Sequence, residues 1–208
     1  MKKRQLLFVG ANDMGEIALS DFYADNYDKA IFVEAIPDVY EKLAKNISVH
    51  NEKHGTDFRA VNALLTSEVG TKHTFNVFNN SGASSSIYTA NPEIWRFEGI
   101  HKESEIELVS TTASALLQDN YPFFHDASGL LEFDLTIDAQ GAELEVLKGF
   151  GDFLKHVNEL IIEVSQQEIY QGGVTFEDLN RFLVERDFVL LSEQVPWHGD
   201  VKYGRRTL

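Results

Sequence analysis

The sequence predicts an α/β fold: a mostly parallel sheet with helices on both faces. Two observations carry this. Short apolar runs alternate with amphipathic helical patterns along the whole chain. Polar residues also recur where the apolar runs end, at Asn12, Glu34, Asn62, Asp138 and Glu163. Open parallel sheets bind ligands beyond those carboxyl ends.

The elements follow in order. Leu6-Leu7-Phe8-Val9, closed by Gly10, reads as a buried strand, and residues 14–24 read as a helix. Ala30-Ile31-Phe32-Val33-Glu34 is a second buried strand that ends in an acid. Residues 37–54 form the clearest helix: Pro37 suits its first turn, Val39, Leu43 and Ile47 recur every four residues, and Gly55 caps it. Strands are predicted over 58–64 and 72–78, followed by a polar, Ser- and Asn-rich loop over 79–101. A strand at 105–109, a helix at 112–119 and an aromatic loop at 121–125 come next.

Residues 131–137 alternate Leu131, Phe133, Leu135 and Ile137 with Glu132, Asp134 and Thr136, which predicts a strand with one polar face ending at Asp138. A helix over 141–149, a strand over 160–164, a helix over 176–186 and a strand over 188–191 continue the alternation. The tail after Trp197 is expected to add an antiparallel edge strand. No linker or repeat divides the 208 residues, so a single domain over 1–208 is expected.

Composition narrows the function. The chain has no cysteine, which excludes disulfides, thiol nucleophiles and thiolate metal sites. Its net charge of −15 would repel a phosphate backbone, so no nucleic-acid partner is expected. Neither a signal peptide nor a membrane span is read, and a cytoplasmic protein without membrane partners is the default. The charge and the patterning leave oligomeric state open.

The turn Gly10-Ala11-Asn12-Asp13-Met14-Gly15 permits close approach of a ligand to backbone. A nicotinamide fingerprint would want glycine at Asn12. Glu34, about twenty residues on, stands where a carboxylate accepts from ribose hydroxyls, which favours an adenosine-containing cofactor. Asp138 is the leading candidate for a general base, with His101, His125 and Glu163 in reserve; capping the next helix is its competing role. His50 and His54 lie one helical turn apart, a spacing open to metal but more often a polar helix face, and no third ligand accompanies them, so no metal is expected. Ser84, Ser85 and Ser86 either line an acceptor pocket or form a plain loop. No G-x-S-x-G turn supports a serine hydrolase.

The segment FDLTIDAQGAELEVLKGF (133–150) resembles the signature of FkbM methyltransferases. FVEAIPDVYEKLAKNI (32–47), VNALLTSEVG (61–70), SSSI (84–87) and LIIEVSQQEIYQGG (160–173) match that family in order and spacing. The resemblance implies a single Rossmann-like class I methyltransferase domain with S-adenosylmethionine as cofactor, and O-methylation of a small-molecule or sugar acceptor. It implies that Gly10, Asn12 and Gly15 cradle the methionine part, that Glu34 holds the ribose, that Asn62 and Ala63 flank the adenine, and that Asp138 sits near the methyl. Three departures stand out. Phe8 replaces an acid, the glycine loop is one residue longer through Asp13 or Met14, and Thr136 replaces a lysine. They raise the alternative of a module that keeps the fold and the cofactor but has lost turnover.

Overall fold

The computed structural model describes residues 4–15, 20–124 and 131–206. The chain starts with β1 (Arg4–Val9), α1 (Asp21–Asn26), β2 (Tyr27–Glu34) and α2 (Pro37–His54). Next come β3 (Asp57–Asn62), β4 (Leu64–Leu65), β5 (Lys72–Phe78), β6 (Thr89–Ala90) and β7 (Lys102–Thr111). The helices α3 (Ala113–Asp119) and α4 (Tyr121–Phe124) lead to β8 (Phe133–Ile137), α5 (Glu143–Gly149) and a 3-10 turn at Gly151–His156. The rest is β9 (Val157–Ser165), β10 (Tyr170–Gln171), α6 (Phe176–Val184), β11 (Phe188–Leu190) and β12 (His198–Arg205).

Seven strands form the main sheet in the order β11-β12-β9-β8-β1-β2-β3. The five from β9 to β3 are parallel, and β12 runs antiparallel to both of its neighbours. Side chains of each strand alternate between two cores. Leu7, Val9, Ile31 and Val33 pack with α3, α5 and α6 on one face, through Leu117, Val146, Leu147, Leu179 and Leu183. Leu6, Ala30 and Phe32 meet Leu43 and Ile47 of α2 on the other. The expected fold class, with helices on both faces, is what the chain adopts.

The chain runs from β1 outward to β2 and β3, then returns to place β8 on the other side of β1. Strand order therefore reverses between β1 and β8, which puts the loops after Val9 and Ile137 side by side. A three-stranded layer, β4-β7-β5, carries the 79–101 excursion, and β6 pairs with β10 to bring that excursion over the same end of the sheet.

Several expectations are corrected. The helix read over 14–24 is, among the described residues, α1 over Asp21–Asn26, because Asn12 and Met14 take left-handed φ angles of 51° and 42°. The strand read over 58–64 breaks at Ala63, whose N–H turns to the Glu34 carbonyl (3.0 Å), and Leu64–Leu65 joins the other layer. Part of the aromatic loop is α4, with Phe123 and Phe124 buried. The polar face of β8 is not solvated: Asp134 is buried, held by Arg4 (2.7 Å) and the Tyr27 hydroxyl (3.1 Å). The last strand is antiparallel as expected but not an edge, since it is inserted between β9 and β11.

Candidate active site

Gly10 has φ +77°, and a Cβ there would lie 1.7 Å from the Asp138 carbonyl oxygen. No other residue type fits where β1 and β8 diverge this closely. The Asp138 N–H donates to Val9 O (3.0 Å), while the Gly10 and Ala11 N–H groups both donate to Val33 O (3.0 Å each). The three central strand ends are thus tied together by backbone alone.

The loop from Gly10 to Gly15 is tightly specified. Asn12 Oδ1 accepts from Asp13 N–H (2.8 Å), Asp13 Oδ1 accepts from Gly15 N–H (3.1 Å), and Asn46 Nδ2 of α2 donates to the Asp13 carbonyl (2.8 Å). Met14 is buried in the α2-side core and anchors the loop there. Phe8 and Thr136, the two positions where the resemblance expects an acid and a lysine, are register partners on β1 and β8. Neither replacement leaves a stranded charge.

Glu34 is buried at the end of β2. Its Oε2 accepts from Asn12 N–H (2.9 Å) and its Oε1 from Ile36 N–H (2.8 Å). Burial raises its pKa, opposed by those backbone donors. Asn62 Nδ2 donates to the carbonyls of Glu34 (2.9 Å) and Ala35 (3.1 Å), fixing the turn after β2.

Gly10, Asn12, Glu34, Ala63 and Asp138 line one cavity of ≈100 Å³ with the apolar residues Leu64 and Leu65. Asn62 braces this cavity from outside its lining, and Gly15 lies outside it too, behind the Asp13 turn. The turn 80–85 covers the mouth. Asn12 Nδ2 donates to Ser81 O (3.1 Å), and Gly82 sits so close to α2 that a Cβ would meet Ile36 Cδ1 at 2.8 Å. The serines are docked: Ser85 Oγ accepts from Phe78 N–H (3.0 Å), and Ser86 Oγ donates to Gln140 O (2.7 Å).

Beside Asp138 stands a second carboxylate. Gln140, in a left-handed conformation with φ 50°, donates through Nε2 to Asp138 Oδ1 (2.6 Å) and Glu163 Oε2 (2.9 Å). The Tyr170 hydroxyl lies against Gln140 Oε1 (2.7 Å), and the ionised Asp138 carboxylate, which only accepts, sets the amide nitrogen toward the acids. Burial pushes Asp138 up to about 6; burial and the Asp138 charge push Glu163 up to about 10. Glu143, fully buried, accepts from the N–H groups of Ala139 and Gly141 (3.0 Å each), and burial raises it to about 7. The helix after β8 starts at Ala142–Glu143, so Asp138 is not its cap; Glu143 ties the turn instead.

Gln140, Glu143, Tyr170 and His198 were missed by sequence reasoning. Three of them lie within or just beyond the quoted 133–150 and 160–173 segments, which was the available signal. Of the reserve residues, Glu163 joins the cluster. His101 bonds Asn79 (3.2 Å) at the base of the excursion, and His125 lies outside the described residues. His50 stacks on Phe58 and His54 pairs with Asp21 (3.3 Å). Among the described residues, no group of three His, Asp or Glu side chains is placed to hold a metal, and no helix is long and apolar enough to cross a membrane.

Among solved structures, the chain is similar to an FkbM methyltransferase from Methylobacillus flagellatus KT, with TM-score 0.54 and 13% identity over 97% of this chain and 43% of that one. It is also similar to a protein of the NADB-Rossmann superfamily from Streptococcus agalactiae, with TM-score 0.50 and 16% identity over 100% of this chain and 64% of that one. The chain thus spans less than two-thirds of either, and at these identities the likeness shows the fold. No curated protein matches it in sequence. The family model of the methyltransferase FkbM domain matches residues 9–190, from the end of β1 to the end of β11. That span contains the glycine loop, Glu34, Asp138 and Glu163, and the chain belongs to the FkbM family of S-adenosylmethionine-dependent methyltransferases.

Proposed function

We propose that this chain transfers a methyl group from S-adenosylmethionine to a hydroxyl of a small molecule or sugar, with Asp138 as general base. The observation that carries the reading is the sharing of one cavity by Glu34 and Asp138, from the strands on either side of β1. The donor set fits the cofactor. The Glu34 carboxylate accepts from the backbone N–H groups of Asn12, Ile36 and Ala35, and with about four lone-pair sites keeps room for a ribose hydroxyl. Ala63 and Leu64 offer an apolar wall beside it for the adenine, with Asn62 bracing that wall. The loop from Gly10 through Asn12 to Gly15 would hold the methionine part.

When bound, the cofactor supplies a methyl group made electrophilic by its positively charged sulfur. The chain's own work is then alignment, worth roughly 7–11 kcal/mol when reacting atoms are well oriented, and proton removal, worth about 10²–10⁴-fold. Asp138 suits the second task, because a carboxyl titrating near 6 is ionised at neutral pH yet basic enough to take a proton. The acidic surface favours an acceptor that is not a polyanion.

Calorimetric titration with S-adenosylhomocysteine and S-adenosylmethionine, with NAD as control, tests the cofactor site in wild type and Glu34→Ala. Loss of hydrogen bonds to a charged group is expected to weaken binding about 10- to 100-fold. Folded wild-type protein that binds neither sulfur compound would overturn the reading. Methylated product then separates an active enzyme from a module that only binds cofactor.

A further inference from the structure

A base that takes a proton inside a buried cluster has to pass it on before the next turnover. Asp138 and Glu163 are bridged by the shared Gln140 amide, and among the described residues neither is paired with a lysine or arginine. Glu163 Oε1 lies 3.3 Å from His198 Nε2. His198 comes from β12, which the register sets directly against β9. Its Nδ1 faces Ser165 Oγ (2.9 Å). The Ser165 hydroxyl can accept from an Nδ1–H, the tautomer in which Nε2 presents its lone pair to Glu163. The His198 side chain is 18% exposed, the Glu163 side chain 13%.

We propose that Asp138, Glu163 and His198 form a proton-transfer chain from the cavity to the surface. The inference rests on the methyltransferase reading above. The acceptor's O–H bond breaks as its oxygen takes the methyl, and the proton goes to Asp138. Glu163 passes the proton on its Oε1 to His198 Nε2 and receives that of Asp138 on its Oε2. His198 then releases a proton to water, Asp138 is again ionised, and a half-turn of the Glu163 carboxyl brings its new proton from Oε2 back to the His198 side.

The groups around the chain support this order of protonation. Glu163 is faced by Asp138, by Glu143 of α5 and by Asp200 of β12, all acidic, and Tyr170 packs against the same cluster. It therefore holds its proton while Asp138 loses its own. His198 is held below its ordinary value by burial, opposed by Asp200, and so starts neutral.

The test reads protonation and needs no acceptor. The His198 ring nitrogens are followed by NMR against pH in wild type, Asp138→Asn, Glu163→Gln and the double variant. Removing the Asp138 charge lets Glu163 ionise, and an ionised Glu163 raises His198. We expect the His198 midpoint to rise by about one unit, a tenfold change in proton affinity, in Asp138→Asn. No rise is expected when Glu163→Gln is added. Direct loss of a nearby negative charge has the opposite sign, so an unchanged or lowered midpoint overturns the chain. Glu163→Gln alone is a second arm that does not depend on the Asp138 variant folding. It leaves His198 unmoved if Glu163 already carries its proton, whereas a fall would reveal a static ion pair and overturn the proposal. Amide shifts at Gly10 and Asn12 on addition of S-adenosylhomocysteine report the cofactor reading separately.

Discussion

Replacing Gly10 with alanine probes the junction on which the whole site depends. Two costs add. An alanine at φ +77° carries about 1–2 kcal/mol of left-handed strain. Its Cβ would also stand 1.7 Å from the Asp138 carbonyl oxygen, a backbone atom that cannot swing aside. Relief requires β1 and β8 to part at their ends. That sacrifices the Asp138-to-Val9 hydrogen bond and weakens the pair on Val33, at about 0.5–1.5 kcal/mol each. The sum is about 2.5–6.5 kcal/mol if all three bonds go, a fall in Tm of about 5–26 °C for a domain of this size. Gly55→Ala is the matched control, because φ is +68° there and nothing lies within 4 Å of the added Cβ. It should cost only the strain, about 1–2 kcal/mol. Thermal and urea melts of both variants, with S-adenosylhomocysteine titrations of each, make the comparison. If Gly10→Ala melts no lower than Gly55→Ala and binds the cofactor product equally well, the close approach is not what holds the site.

Three further outcomes follow from the same geometry. Glu143 has its folded pKa raised to about 7 from 4.5, so the native state binds the extra proton and stability falls as pH rises between those values. Glu143→Gln keeps both N–H acceptances on Oε1, and urea melts at pH 5 and 8 should show a smaller loss than in wild type, by roughly 3 kcal/mol. Tyr170→Phe removes hydrogen bonds to Gln140 Oε1 (2.7 Å) and Ser84 O (2.9 Å), and denaturation should show a loss of about 1–3 kcal/mol. Phe8→Asp should destabilise the sheet, and adding Thr136→Lys on the neighbouring strand should recover part of that loss; a double-mutant cycle should give a coupling of about 0.5–3 kcal/mol.

What was legible in the sequence was local. The helix over 37–54 was readable to the residue, because Pro37 at its start, the four-residue spacing of Val39, Leu43 and Ile47, and the left-handed Gly55 cap act within a few positions. Glu34 and Asp138 were readable as strand-terminal acids because an apolar run marks its own end. The burial of Asp134 was not, since its partners Arg4 and Tyr27 lie more than a hundred residues away. The start of α1 failed because Met14 adopts a left-handed conformation that no pattern in its neighbours announces. The Glu163–His198 contact failed for the same reason as the position of β12: antiparallel pairing across 33 residues of chain is set by the sheet, not by spacing.

The insertion of β12 between β9 and β11 also orders how the molecule is made. β11 precedes β12 in the chain but has no place in the sheet until β12 has docked. Until then β9 presents an unpaired edge carrying buried-type residues such as Leu160, Ile162 and Val164, the kind of edge that recruits foreign strands. A nascent chain is therefore most exposed to misassociation after the parallel core has formed but before residues 198–205 close it. Because His198 arrives on that same strand, any folding intermediate that lacks β12 also lacks the link between Glu163 and solvent.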